Sequence, residues 1–162
     1  MAFTGSSKIC RSFKKELFEG KHNFQTGSGT VVKMALYTNS QAGNDNLGGT
    51  GTDMDFSVQA YSSSASNEVS GGNYTTGGHA AALVAPAANT SGTSEVGHVT
   101  FGDITISDAT ITARGGVLYN DTASGDPAIA VIDFTADKTS TAGTFTIDMP
   151  ATGVSTSLIR LT

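Results

Sequence analysis

The chain predicts a mainly β fold: a single antiparallel β-sandwich or jelly-roll-like domain of about eight strands with one short N-terminal α-helix. Three observations lead there. Between residues 103 and 149, short Thr/Ile/Val runs alternate with Gly, Asn, Asp and Pro, the pattern of strands that bury one face and then reverse. Near the N-terminus, apolar residues recur at helical rather than strand spacing. At 162 residues the chain suits one domain, 1–162, and no charged or Pro-rich linker and no internal repeat divides it.

In chain order, an N-terminal arm and helix occupy 1–25. Ser6 or Ser7 is placed to cap a helix over 7–19, with Ile9, Cys10, Phe13, Leu17 and Phe18 forming its apolar stripe and Gly20 ending it. Phe13, Leu17 and Phe18 are expected to anchor this helix on the chain's own sheet, with Lys8, Arg11, Lys14 and Lys15 on the other side. Residues 30–38 (TVVKMALYT) alternate Val32, Met34 and Leu36 against Val31, Lys33, Ala35 and Tyr37, which predicts a central strand. A long Gly/Asn-rich loop follows over 39–60, projecting or ordered by a partner. Further strands are predicted at 79–86, 96–101, 104–107, 109–120, 128–135, 144–149 and 157–161, with Pro86 ending the first or lying at an edge. Gly115-Gly116 marks a bulge, and 121–127 and 137–143 read as loops between strands.

Gly, Ser and Thr supply 61 residues while only 14% are charged, so the surface is polar through hydroxyls and backbone rather than ions. The formal net charge of −5 argues against direct nucleic-acid binding, which needs a basic face. That charge is unevenly placed: residues 1–33 sum to +4 and residues 34–162 to −9. The basic head is either a solvated helix face or a docking arm for an acidic surface. A lone cysteine, Cys10, excludes an intrachain disulfide and fits assembly in a reducing cytoplasm. No stretch approaches the roughly 20 apolar residues of a membrane span, and MAFTGSSKIC lacks the apolar core of a secretion signal.

No catalytic constellation stands out, and the chain is expected to be non-enzymatic. His22, His79 and His98 lack zinc-ligand spacing, and Cys10 lies on the helix stripe without an identifiable base. Asp45, Asp53, Asp55, Asp103, Asp108, Asp121 and Asp126 occupy turns or strand ends, where Asp bonds its own backbone; none follows the spacing of a calcium loop. Gly49-Thr-Gly51 and Gly27-Ser-Gly29 fit no nucleotide fingerprint. No cofactor and no metal is expected.

Several blocks, in order, are FKKELFEGKHNF (13–24), VKMALYT (32–38), NEVSGGNYTTGG (67–78), ARGGVLYNDT (113–122), AIAVIDF (128–134) and TFTIDMP (144–150). Together they resemble a family of small virion structural proteins of tailed bacteriophages over most of the chain. The chain departs from that pattern with an enlarged Gly/Asn loop at 39–60. The resemblance implies a virion protein assembled in the host bacterial cytoplasm. By analogy with abundant phage β proteins, it points to a capsid cement or decoration protein that contacts the major capsid protein and sister copies as a homo-oligomer. A tail, neck or fibre-attachment protein bound to portal, tail or fibre, and a glycan-binding or depolymerising tail module, are the alternatives. The candidate contact residues are Lys8, Arg11, Lys14 and Lys15 on the head, and Asn44, Asp45, Asn46, Asp53 and Asp55 in the loop.

Overall fold

The computed structural model describes residues 7–40, 54, 57–63, 67–89 and 96–162. In chain order its elements are β1 (Lys8–Ile9), α1 (Arg11–Phe18), β2 (Val32–Tyr37), β3 (His79–Ala81), β4 (Ala87–Ala88), β5 (Gly97–Val99), β6 (Ile104–Asn120), β7 (Ala128–Ile147) and β8 (Ile159–Leu161). The strands form two antiparallel sheets, one in the order β1-β7-β6-β2-β3 and one in the order β4-β5-β8. A single buried cluster joins Val32, Leu36, Val117 and Ile129 of the larger sheet to Val99 and Ile159 of the smaller. The fold is therefore mainly β and sandwich-like, with one short helix, as the sequence predicts.

The frame is the β6–β7 hairpin, whose strands run 17 and 20 residues and are joined through 121–127. The sequence suggests four strands and a 137–143 loop here; the structure has two continuous strands. The punctuating residues are absorbed as irregularities instead. Asp108, Thr135 and Ala142 take positive φ (50°, 64° and 45°), and the register shifts between Ile106 and Ala109 and again between Ala109 and Ile111. Thr side chains carry the ladder across these points: Thr112 and Thr139 hydroxyls meet at 2.9 Å, and the Ala142 N–H donates to Thr110 Oγ1 at 3.0 Å. A run of β-branched residues with a partner alongside favours continuing the ladder over turning. The shift between Ala113 and Gly115 is the bulge that Gly115-Gly116 signals. Gly116 packs so tightly on β2 that a Cβ would lie 2.8 Å from the Ala35 carbonyl oxygen.

β2 lies between β6 and β3. Both of its faces are covered: Ala35 and Tyr37 are as buried as Met34 and Leu36. β3 pairs only with Val32–Met34, and the remaining edge is filled by the 67–69 segment, where Thr38 N–H donates to Asn67 O and Val69 N–H to Leu36 O. Pro86 immediately precedes β4, an edge strand, where its missing N–H costs no ladder bond.

The helix is shorter than the 7–19 predicted. Lys8 and Ile9 pair with Val131 and Ala130, and Cys10, with φ −65° and ψ 144°, is still extended as it donates to Ile129 O at 2.9 Å. The edge of β7 offers unpaired backbone that this stretch satisfies, whereas Ser7 accepts from the Asp133 N–H instead of capping a helix. Gly20, at φ +70°, ends the helix as expected.

Candidate interaction surface

Helix α1 buries Phe13 and Glu16, with Leu17 packed beside them, and leaves Phe18 94% exposed. Geometry requires this. Five residues advance a helix by about 140° beyond a full turn, so with Phe13 directed into the core Phe18 is turned away from it. The expectation that Phe18 anchors the helix on its own sheet is corrected, while Phe13 holds, its ring tilted against Phe24 (6.0 Å between centroids), which meets Phe101 edge-on at 5.7 Å.

The inner face of α1 also carries an unforeseen polar element. His22 has a fully buried side chain lodged between Phe13 and Phe24. Its Nε2 lies 3.2 Å from Glu16 Oε2 and its Nδ1 3.3 Å from Asn120 Nδ2. A neutral imidazole protonated at Nε2 satisfies both, donating to the carboxylate and accepting from the amide. Burial is the main force holding the His22 pKa below its usual value, with Glu16 pulling the other way. Asn120 Oδ1 in turn accepts from the N–H groups of Thr122 and Ala123, so the helix is tied to the hairpin turn through this chain of bonds.

The candidate cations separate in space. Lys15 is bonded to Glu19 one turn on, and this bond above all holds the Glu19 carboxyl below its usual range. Lys21 lies 3.7 Å from Glu16, and Lys33 lies 2.8 Å from Asp121. Arg11 and Lys15, with Ser12, Ser57 and Gln59, line a hollow of about 240 Å³. Lys8 is exposed on β1 rather than on the helix. Lys14 borders a different hollow, of about 640 Å³, between α1 and β8. That groove is walled by Phe13, Leu17 and Phe18 on one side and by Ile159 and Leu161 on the other, and Arg160 joins Lys14 on its rim. A smaller hollow of about 200 Å³ shares Phe13, Leu17, Ile159 and Leu161 and extends the apolar floor to Pro86 and Val99. Leu161 is 58% exposed.

Asn44, Asp45, Asn46, Asp53 and Asp55 lie outside the described residues. The described end of the 39–60 loop does not project: Met54 and Val58 are fully buried, and Gln59 O accepts from Ala128 N–H at 2.8 Å. Of the other aspartates, Asp103 accepts from Met149 N–H at 2.7 Å, and Asp133 pairs with Arg114 at 3.1 Å. Among the described residues, no three His, Cys, Asp or Glu side chains gather as metal ligands. His98 bonds Ser157 Oγ at 2.9 Å and steadies the turn before β8.

A second polar cluster centres on Glu68, which accepts from Tyr61 (3.1 Å), Tyr74 (3.0 Å) and the Gly77 N–H (2.8 Å). Tyr74 Oη accepts from Leu36 N–H, and Tyr61 stacks on Tyr119 at 4.4 Å. Burial raises the Glu68 pKa against these bonds and raises all three tyrosines. The arrangement clamps the 67–78 segment onto β2 and β6. One signal marks it in the sequence: Glu68 is the lone charge between Asp55 and Glu95, in a stretch holding Tyr61 and Tyr74. The α1–β8 groove has no such signal, because it depends on the C-terminal strand lying beside the helix.

Neither protein-family models, curated proteins nor solved structures match this chain.

Proposed function

We propose that this chain is a non-enzymatic structural protein of a bacteriophage particle, a capsid cement or decoration protein that docks on the major capsid protein and on sister copies. The observation that carries this reading is Phe18, almost wholly exposed beside a groove whose walls are apolar. Large side chains left in water next to an apolar concavity mark a surface made for a partner. Support also comes from the resemblance of the 13–24, 67–78 and 113–122 blocks to phage virion proteins, and from a long β6–β7 hairpin suited to bracing. The mechanism is avidity: weak contacts repeated over a symmetric lattice sum to a large resistance to rupture.

Quantifying the protein against the capsid subunit in purified particles tests this. A copy number on the scale of the capsid lattice is expected. Copies sufficient for only one ring at the neck or tail would overturn the capsid role and favour a portal or tail site. Binding or hydrolysis of host envelope glycans by the purified protein would overturn the non-enzymatic assembly role.

A further inference from the structure

Strand β8 is hydrogen-bonded to β5 on one side, with Gly97, His98 and Val99 facing Leu161, Arg160 and Ile159. Among the described residues it is the outermost strand of its sheet on the other side. The α1–β8 groove is lined by Ile159, Arg160, Leu161 and Thr162 in succession. β5 occupies one edge of β8, and among the described residues no strand pairs with the other. The groove's far wall is the helix, through Leu17 and Phe18, together with Ile9 of β1.

From this we infer that the groove is a strand-addition site, filled by an extended, acidic segment of a partner protein with alternating apolar and carboxylate side chains. The backbone of that segment pairs with β8. Its apolar side chains fall between Leu161 and the Leu17–Phe18 wall. Its carboxylates meet Lys14 and Arg160, the only charged side chains among the described residues that line the groove; neither forms an ion pair with another described residue. Exposed β edges recruit strands in this way, with the backbone supplying affinity and alternate side chains supplying selectivity. The sign of the rim decides against a second copy docked by two-fold symmetry, since that would set Lys14 and Arg160 of each copy against those of the other.

The inference names the partner chemistry for the assembly role proposed above and rests on that role, but it is tested on the isolated full chain, so the two can fail separately. Isotope-labelled protein is titrated with a blocked synthetic peptide alternating glutamate and valine. Amide shifts should move at residues 159–162 and along α1, with affinity falling as salt is raised. The lysine–valine peptide should bind at least about tenfold more weakly, and the double variant Lys14→Glu, Arg160→Glu should reverse that preference. A glutamate–valine peptide N-methylated at alternate backbone nitrogens should lose binding, because it cannot complete the ladder. Absence of shifts at 159–162, equal binding by the lysine peptide, or undiminished binding by the N-methylated peptide would each overturn the inference. So would self-association through these residues in sedimentation. Peptide binding as expected, together with few copies per particle, would leave the groove standing and remove the capsid role.

Discussion

The Glu16 carboxylate and the His22 imidazole meet at 3.2 Å within the aromatic pocket of Phe13 and Phe24, although they lie on either side of the helix-ending Gly20. A buried imidazole held below its usual pKa opposes protonation in the folded state. The unfolded chain then binds more protons than the native one as pH falls through about 6.5, so stability is lost on acidification through that region. Urea unfolding at a series of pH values should show this slope, and His22→Gln should flatten it. Glu16→Ala leaves the Nε2–H without its acceptor and should cost about 1–3 kcal/mol at neutral pH.

Glu68 carries the opposite sign. Its pKa is raised chiefly by burial, so the native state takes up a proton more readily than the unfolded chain. Its contribution to stability therefore falls as pH rises above the usual value of 4.5. Glu68→Gln, which keeps an acceptor for Tyr74 and Gly77, should remove that part of the pH dependence and leave the His22 slope intact. Glu68→Ala orphans the Tyr61 hydroxyl and the Gly77 N–H, and should cost about 1–3 kcal/mol for each left buried. Thermal unfolding of the two variants separates charge from hydrogen bonding.

The turn at 71–74 is pressed against the β6 irregularity so closely that a Cβ on Gly72 would lie 1.9 Å from the Asp108 carbonyl oxygen. Its φ of +62° adds backbone strain for any other residue. Gly72→Ala should therefore destabilise by more than about 2 kcal/mol, since the obstacle is backbone that cannot swing away. Gly125 has φ +85° but open space around it, and Gly125→Ala should cost only about 1 kcal/mol. Comparing the two in denaturant distinguishes collision from strain.

Much of this fold is visible in the residues themselves. The alternation in 32–37, the turn chemistry of 121–127 and the glycine pair at 115–116 each identify what they form, because local preference and tertiary context agree there. They disagree at Asp108 and over 137–143, where turn-forming residues have a strand already alongside and become irregularities within it. Ile9 and Cys10 fit helical spacing but are claimed by the edge of β7. Among the contact candidates, Lys14 does line the groove, whereas Lys15 is spent on Glu19 and Lys8 stands on a strand. Arg160 and Leu161 lie nearly the whole chain away from Phe18, and no spacing rule reaches across that distance.

Phe18 and Phe13 give the sharpest contrast between residues of one kind on one helix. Phe13 is 1% exposed within the core, and Phe13→Ala should cost about 3–5 kcal/mol through lost burial and the cavity left behind. Phe18 touches little of its own chain, so Phe18→Ser should stay within about 0.5 kcal/mol of the parent in urea unfolding. If Phe18 serves assembly, the same variant should show lower incorporation into particles while folding normally. A Phe18→Ser protein that unfolds several kcal/mol more easily would mean that the ring packs on its own domain, and full incorporation at parent stability would remove Phe18 from the contact surface.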